Sequence, residues 1–176
     1  MSWSEASRRR ILAGAAAGLA AALLSGCGFR PLYGEQASAA APAELAQIQL
    51  PRPSSRLAQL VYVPLADRLN PSGRQVEKRY RLDLALSETE SGVLITRSDE
   101  VTRINLTLFA AFAVVDLEEN VRLFDGTAKS VASYNVLRSD YANLTGYDDA
   151  RERAAADLAE QLSLRIGVYF SDPQRR

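Results

Sequence analysis

Apolar and polar residues alternate along three long segments in the second half of the chain, a pattern typical of strands with one buried face. The first segment is 80–86, the second 104–114 and the third 128–136. On the second segment the opposite side changes from polar to apolar toward its end. The sequence therefore predicts three consecutive antiparallel strands, of which the second needs cover on both faces, by helices on one and by a partner on the other.

A helix is predicted before these strands, with Ser54 or Ser55 as its N-cap. Its apolar stripe has four-residue spacing and consists of Leu57, Val61, Leu65 and Leu69. Pro64 lies inside the helix, and because proline has no backbone N–H we expect a kink or a split there. The sequence Asn70-Pro71-Ser72-Gly73 should end the helix.

The clearest helix is the last element of the chain. Thr145 with Asp148 three residues later resembles a capping box and predicts its start. The apolar stripe consists of Ala154, Leu158, Leu162, Ile166 and Tyr169, whereas the charged residues Arg151, Glu152, Asp157 and Glu160 are expected to be mostly solvated.

Shorter signals complete the pattern. Residues 46–50 alternate and predict a short strand that Pro51 and Pro53 end. The sequence Glu90-Ser91-Gly92 predicts a turn, and Asp125-Gly126 carries a hairpin signal. Strand, helix, three antiparallel strands and helix predict an α+β fold, a two-layer sandwich with two helices on one face of a four-stranded, largely antiparallel sheet.

The first 26 residues differ from the rest of the chain. Their only charged residues are Glu5 and three arginines at 8–10, and an uncharged apolar stretch follows from Ile11 to Leu24. Because this stretch is short for a bilayer core of about 30 Å, it favours a secretory signal over a short membrane anchor. The three arginines suit either the twin-arginine or the general export route.

The end of this segment, Leu24-Ser25-Gly26-Cys27, resembles the bacterial lipobox. Cys27 would then carry a thioether-linked diacylglycerol and an amide-linked acyl chain, which together give a stable anchor. Gly28 is not the Asp that retains many such lipoproteins in the inner membrane, so we expect the outer membrane, facing the periplasm. The predicted organisation is a signal peptide (1–26), a lipidated tether (27–43), an α+β domain (44–171) and a tail (172–176).

Composition narrows the chemistry. The chain has 21 basic and 21 acidic residues, no His and one Cys, and without the signal 18 basic and 20 acidic residues remain. This balance disfavours nucleic-acid binding. Without His, and with no second Cys, no metal site, cofactor site or catalytic group is predicted, so we expect a protein that is not an enzyme.

Arginine dominates the basic residues, since only two of the 21 are lysines. Guanidinium groups suit bidentate recognition of phosphate or carboxylate. Arg97, Arg103 and Lys129 are the basic residues that we expect to gather on the sheet face away from the helices.

The residues from Leu24 to Gly34, which include Gly-Cys-Gly-Phe-Arg-Pro-Leu-Tyr, resemble the lipopolysaccharide-assembly lipoprotein family LptE in its alphaproteobacterial form. The likeness continues through Arg79-Tyr80-Arg81-Leu82, Thr102-Arg103, Ser133-Tyr134-Asn135 and the segment 149–170. It implies a lipoprotein that binds and plugs the outer-membrane β-barrel LptD and assists lipopolysaccharide assembly. A basic residue implicated in lipopolysaccharide contact falls on Arg97.

A second interpretation stays open, in which the protein is a periplasm-facing lipoprotein that binds a small ligand or serves another envelope assembly machine. A deep apolar pocket between sheet and helices would favour this alternative. A filled core with an exposed apolar and arginine-bearing surface would favour the plug.

Overall fold

The structure is a computed structural model that describes residues 40–94 and 101–172, without the side chains of 40–42, 93–94, 101 and 102. Its elements in chain order are α1 (Ala40–Ala46), β1 (Ile48–Gln49), α2 (Arg56–Leu69), β2 (Tyr80–Leu94), β3 (Val101–Asp116), β4 (Arg122–Asn135) and α3 (Asp140–Ser171). The predicted order of strand, helix, three strands and helix is confirmed, with α1 as an additional short helix.

The four strands form one sheet in the order β1-β2-β3-β4. β1 is parallel to β2 because α2 connects them as a crossover, and the other neighbours are antiparallel. This largely antiparallel sheet, covered on one face by α2 and α3, confirms the predicted α+β two-layer sandwich.

The core lies between this sheet face and the two long helices. Both predicted helix stripes are buried, except that Phe170 is buried in place of Tyr169, whose ring stacks on Phe124 at 4.8 Å. The largest fully buried side chains are Leu65, Leu82, Leu106, Leu108, Leu158, Leu162, Ile166, Val61 and Val114. Burial of one such side chain stabilises the fold by about 1.5–3 kcal/mol, so the interface between the layers dominates stability.

Pro64 does not split α2, which is continuous from Arg56 to Leu69. The buried side chains before the proline, Leu57 and Val61, and those after it, Leu65 and Leu69, all belong to one core cluster. Their burial outweighs the loss of one backbone hydrogen bond. Ser55, one of the two predicted caps, accepts a hydrogen bond from the Ala58 N–H.

The turn predicted at Glu90-Ser91-Gly92 is wrong. Ser91 and Gly92 lie within β2 and pair with Asn105 and Ile104 of β3, and the β2–β3 connection falls at 95–100, outside the described residues. Pairing along the whole ladder overrides the local turn preference of these residues.

The hairpin turn predicted at Asp125-Gly126 is also wrong, because both residues pair with β3 inside β4. The glycine serves close packing instead: a Cβ atom on Gly126 would lie 3.2 Å from two ring carbons of Phe112. The β3–β4 turn lies at 117–121, where Asn120 has a left-handed φ of 52°. The Asp116 carboxylate holds this turn by accepting hydrogen bonds from the N–H groups of Glu118 (2.8 Å) and Glu119 (3.3 Å).

The start predicted for the last helix is wrong too. α3 begins at Asp140 with Ser139 as its N-cap, and the Thr145 hydroxyl donates to the Tyr141 carbonyl within the helix. Asn143 adds a second constraint, since its side chain bonds both the N–H and the carbonyl of Leu137. These local bonds fix an earlier start than the hydrophobic stripe alone indicates.

The first elements also differ from the predicted strand at 46–50. α1 occupies Ala40–Ala46, so it begins inside the predicted tether, and β1 is reduced to Ile48–Gln49. The Ala46 carbonyl at the end of α1 accepts a 2.7 Å hydrogen bond from the Lys78 ammonium group. This bond satisfies a carbonyl that the short helix leaves unpaired.

A polar cluster joins α3 to β2 at the edge of the core. Arg151 donates to Glu88 at 2.8 Å, and the Tyr147 hydroxyl donates to the other Glu88 oxygen. The Arg151 side chain is only 20% exposed, so its predicted solvation is wrong. The hydrogen bond to Glu88, together with partial burial, raises the pKa of Tyr147 to about 12. The phenol therefore stays protonated well above neutral pH.

We expect Leu158→Ala to lower the free energy of unfolding by about 2–5 kcal/mol, because it leaves a cavity at a fully buried position of α3. The matched control is Leu164→Ala on the same helix, which is 41% exposed and should change stability by about 0.5 kcal/mol or less. Urea unfolding of the purified protein measures both. Equal losses in the two variants would contradict the assignment of the α3 buried face.

We expect Tyr147→Phe to destabilise the protein by about 1–2 kcal/mol at pH 7, because Glu88 loses a hydrogen-bond donor. Folding raises the pKa of the Tyr147 phenol. The contribution of the protonated phenol to the free energy of unfolding is therefore complete below about pH 10 and is lost as pH rises toward about 12. The wild type should therefore lose more stability than Tyr147→Phe between pH 10 and 12. Parallel stability curves in urea unfolding across that range would contradict this assignment.

Candidate functional site

In the described part of the chain, no helix packs on the sheet face away from α2 and α3, although Ala113 and Val115 at one end of it are buried. We call this sheet face the open face. It consists of residues that alternate with the core positions, paired across the strands by register: Arg81, Asp83, Ala85, Ser87, Thr89 and Ser91 of β2, the odd-numbered residues from Arg103 to Val115 of β3, and Arg122, Asp125, Thr127, Lys129, Val131, Ser133 and Asn135 of β4.

The centre of the open face is made of small and apolar side chains. Ala85, Ala111 and Thr127 form one row across the three strands. Phe109, which is 40% exposed, lies in the next row, and Val131, which is 52% exposed, lies in the row after that. A shallow hollow of about 410 Å³ lies over the small residues and is bordered by charged groups, Asp83, Asp125 and Arg122. Apolar surface of this kind, rimmed by polar groups, is typical of an interaction surface.

Two of the three predicted basic residues lie on this face. Arg103 pairs in register with Asn135 and donates a 3.3 Å hydrogen bond to its side chain, whereas Lys129 pairs with Phe109. Because Asn135 and Lys129 are six residues apart on β4, the two basic groups are separated by about 20 Å along the strands. They share a face but do not gather into one anion site. Arg97 lies outside the described residues.

A third basic residue of the open face is already paired. Arg81 donates to both carboxylate oxygens of Asp83, at 2.8 and 3.2 Å, along one edge of the face. This carboxylate raises the pKa of Arg81. The pair is about half exposed, so water screens it and it adds little to stability.

A buried carboxylate fixes the β3–β4 end of the sheet. Burial acts to raise the pKa of Asp116, but the N–H groups of Glu118 and Glu119 and the Arg79 guanidinium outweigh it and lower that pKa. Arg79 also lies 3.8 Å from Glu118. Glu118 and Glu119 thus belong to the β3–β4 turn. On α3, Asp149 forms an ion pair with Arg153 at 3.0 Å.

The described residues contain no group of three His, Cys, Asp or Glu side chains that could hold a metal ion. Within the same part of the chain, no helix is long and apolar enough to cross a bilayer. Cys27 and the lipobox residues Leu24, Ser25 and Gly26 lie outside the described residues, and so does most of the predicted tether.

The exposed side chains of Phe109 and Val131 were not among the predicted site residues. The available signal was the change of the second face of β3 from polar to apolar, which predicted an additional covered surface without naming its centre. Register was the missing information, because it places Ala85 of β2 and Thr127 of β4 beside Ala111.

Comparisons with known proteins give a likeness in structure only. No protein-family model matches the sequence, and no curated protein matches it. A solved structure from Caulobacter crescentus CB15, classed as a lipoprotein, superposes with a TM-score of 0.61 at 18% identity over 74% of this chain and 95% of its own. The minor lipoprotein of Acinetobacter baumannii gives a TM-score of 0.50 at 18% identity, covering 69% of this chain and 88% of that one. Rare lipoprotein B of Shewanella oneidensis gives a TM-score of 0.52 at 15% identity, covering 69% of this chain and 92% of that one. The chain therefore has the fold of these bacterial lipoproteins.

Proposed function

We propose that the protein is a lipoprotein of the LptE type that is anchored in the outer membrane through Cys27, faces the periplasm, and binds and plugs the LptD β-barrel. In this role it assists the assembly of lipopolysaccharide at the outer membrane. It acts by binding, without catalysis and without a cofactor other than the diacylglycerol and amide-linked acyl chain on Cys27.

The observation that carries this proposal is the asymmetry of the sheet. One face is closed by α2 and α3 over a core of fully buried side chains, whereas the open face presents Phe109, Val131 and small residues to the surroundings. A plug needs a rigid body with an uncovered surface that can lie against a barrel wall. The likeness of the fold to three bacterial lipoproteins adds support.

Lipopolysaccharide carries phosphate groups, and basic side chains recognise them. Arg103 and Lys129 lie on the open face, where an anionic partner could reach them. Their separation of about 20 Å favours contacts at two separate points over one binding pocket. Arg97, which the family resemblance suggests, remains the third proposed contact.

The alternative of a small-ligand lipoprotein has weaker support. Within the described residues, leucine, isoleucine and valine side chains pack together in the core between the layers. A small molecule would have to bind in the shallow hollow of the open face, where little of its surface would be buried.

Co-purification tests the proposal. We expect the tagged wild type, purified from detergent-solubilised membranes, to co-purify with LptD. We expect Cys27→Ser also to co-purify with LptD but to carry no lipid, as measured by mass spectrometry. Recovery of lipidated wild type without any barrel would overturn the proposal.

A second pair of variants tests the surface. We expect Phe109→Glu on the open face to reduce recovered LptD roughly tenfold or more, because the contact loses an apolar ring and burying the new carboxylate costs desolvation even beside Lys129. Leu164→Glu is the matched control, since Leu164 is 41% exposed, close to the 40% of Phe109, but lies on α3. Thermal unfolding of both variants checks that each is folded. A loss of LptD only with Leu164→Glu would mean that the helical layer, and not the open face, contacts the barrel.

A further inference from the structure

The outer edge of β2 is nearly unpaired. Within residues 40–94 and 101–172, only Ile48 and Gln49 of β1 pair with it, at Tyr80 and Arg81. β1 cannot extend along β2 because Pro51 and Pro53 follow it and α2 begins at Arg56. The edge from Leu82 to Gly92 therefore has no strand beside it in this part of the chain.

The hydrogen bonds of β2 show which of its backbone groups point toward the free edge. The Tyr80 N–H donates to the Gln47 carbonyl at 3.3 Å, so the backbone N–H of this even-numbered residue points away from β3. Alternation extends this direction to Leu84 and Leu86, whose backbone N–H and C=O groups point outward while their side chains face the helical layer. Such a row of donors and acceptors is a template for an added strand.

The opposite edge of the sheet is protected. Gln161 of α3 donates to the Lys129 carbonyl at 3.1 Å, and Arg153 donates to the Ser133 carbonyl at 3.3 Å, both on the outer side of β4. These side chains occupy acceptors that another strand would need. Between Asp83 and Gly92, no described side chain bonds the β2 edge in this way.

A small cavity lies beside the unprotected edge. It has a volume of about 60 Å³ and its walls come from the β1–α2 loop, α2 and β2: Leu50, Pro53, Ala58, Tyr62, Leu84 and Leu86. Side chains of a strand added to β2 would alternate between the two faces of the sheet. Those on the helix side would enter this cavity, which has room for one aliphatic side chain.

Arg52 gives the site a charge preference. It is exposed and lines the same cavity, and within the described residues it has no ion-pair partner. An unpaired guanidinium beside an apolar cavity is complementary to a carboxylate next to an aliphatic group. In an extended segment the two side chains must be two positions apart to reach the same face.

We propose that the β2 edge is a binding site for an extended segment of a partner protein, which adds as a strand beside Leu82–Gly92. An aliphatic side chain of the segment fills the cavity under Leu84 and Leu86, and a carboxylate two positions away pairs with Arg52. Backbone hydrogen bonds supply affinity and the cavity with Arg52 supplies specificity.

A synthetic peptide tests this site on the purified full-length protein. The probe is a blocked nine-residue peptide of threonine and valine with a central Leu-Thr-Asp, and the control is the same peptide with N-methyl groups on alternate backbone amides. We expect calorimetry to give saturable binding that weakens at least roughly tenfold with the control peptide, because main-chain donors are lost. Hydrogen exchange should slow at the amides of Leu84 and Leu86 and remain unchanged at Lys129.

Two variants of the chain test the edge and the cavity. Leu86→Pro removes one outward N–H together with a side chain that lines the cavity and leaves the β2–β3 ladder intact, and its control on the protected edge is Val131→Pro. Ala58→Leu fills the cavity from α2 without altering the β2 backbone. We expect Leu86→Pro and Ala58→Leu to weaken binding roughly tenfold and Val131→Pro to leave it unchanged, with circular dichroism confirming the fold. If Leu86→Pro does not fold, Ala58→Leu carries the test alone.

The role of charge is tested by combining one protein variant with one change in the peptide. Arg52→Gln should weaken binding of the Leu-Thr-Asp peptide and leave binding of a Leu-Thr-Asn peptide unchanged. Absence of saturable binding to the wild type would overturn the proposal, and so would equal weakening by Leu86→Pro and Val131→Pro. Concentration-dependent dimerisation that Leu86→Pro abolishes would also overturn it, because the occupant would then be a second copy of this chain.

Discussion

The packing of α3 against β3 and β4 is the constraint on which the rest of the structure depends. The buried part of α3, from Ala150 to Phe170, is about 30 Å long at the rise of an α-helix. The helix-facing residues of β3 from Leu106 to Val114, all of which are buried, span a similar length, about 27 Å. Because the two lengths match, a single helix covers most of one sheet face, and α2 covers the β2 side. The other face is left without a layer of its own.

The flanks of α3 explain why the two edges of the sheet differ. On the β2 side Arg151 and Tyr147 reach Glu88, a carboxylate on the helix face of the strand, and so fasten the helix across the sheet. On the β4 side Gln161 and Arg153 bond outward-facing carbonyls of the edge strand. No described side chain of α3 bonds a backbone group on the outer edge of β2, and β1 ends after Gln49. Packing one helix on two strands therefore produces one protected edge and one open edge.

Periodicity predicted the parts of this fold that periodic burial determines. The stripe of α2 and most of that of α3, the three long strands and the two-layer class follow from apolar spacing, because burial along regular elements repeats at the same spacing. Turns and ends could not be predicted as well. Asp125-Gly126 has the composition of a hairpin turn, but its glycine is needed beneath the Phe112 ring, a contact that only register between strands reveals. The site shows the same limit. The sequence placed Arg103 and Lys129 on the open face, but their separation along the strands depends on register that no residue pattern contains.

β2 can take part in two contacts because its side chains reach the open face while the backbone groups of its other residues reach the free edge. Its odd-numbered residues, such as Ala85 and Ser87, direct their backbone groups to β3 and their side chains to the open face. Its even-numbered residues, such as Leu84 and Leu86, direct their side chains to the core and their backbone groups to the free edge. A partner lying on the open face contacts odd-numbered side chains, whereas a strand added at the edge contacts even-numbered backbone groups. No group of β2 is required by both, so the proposed barrel contact and the proposed strand addition do not compete for the same atoms.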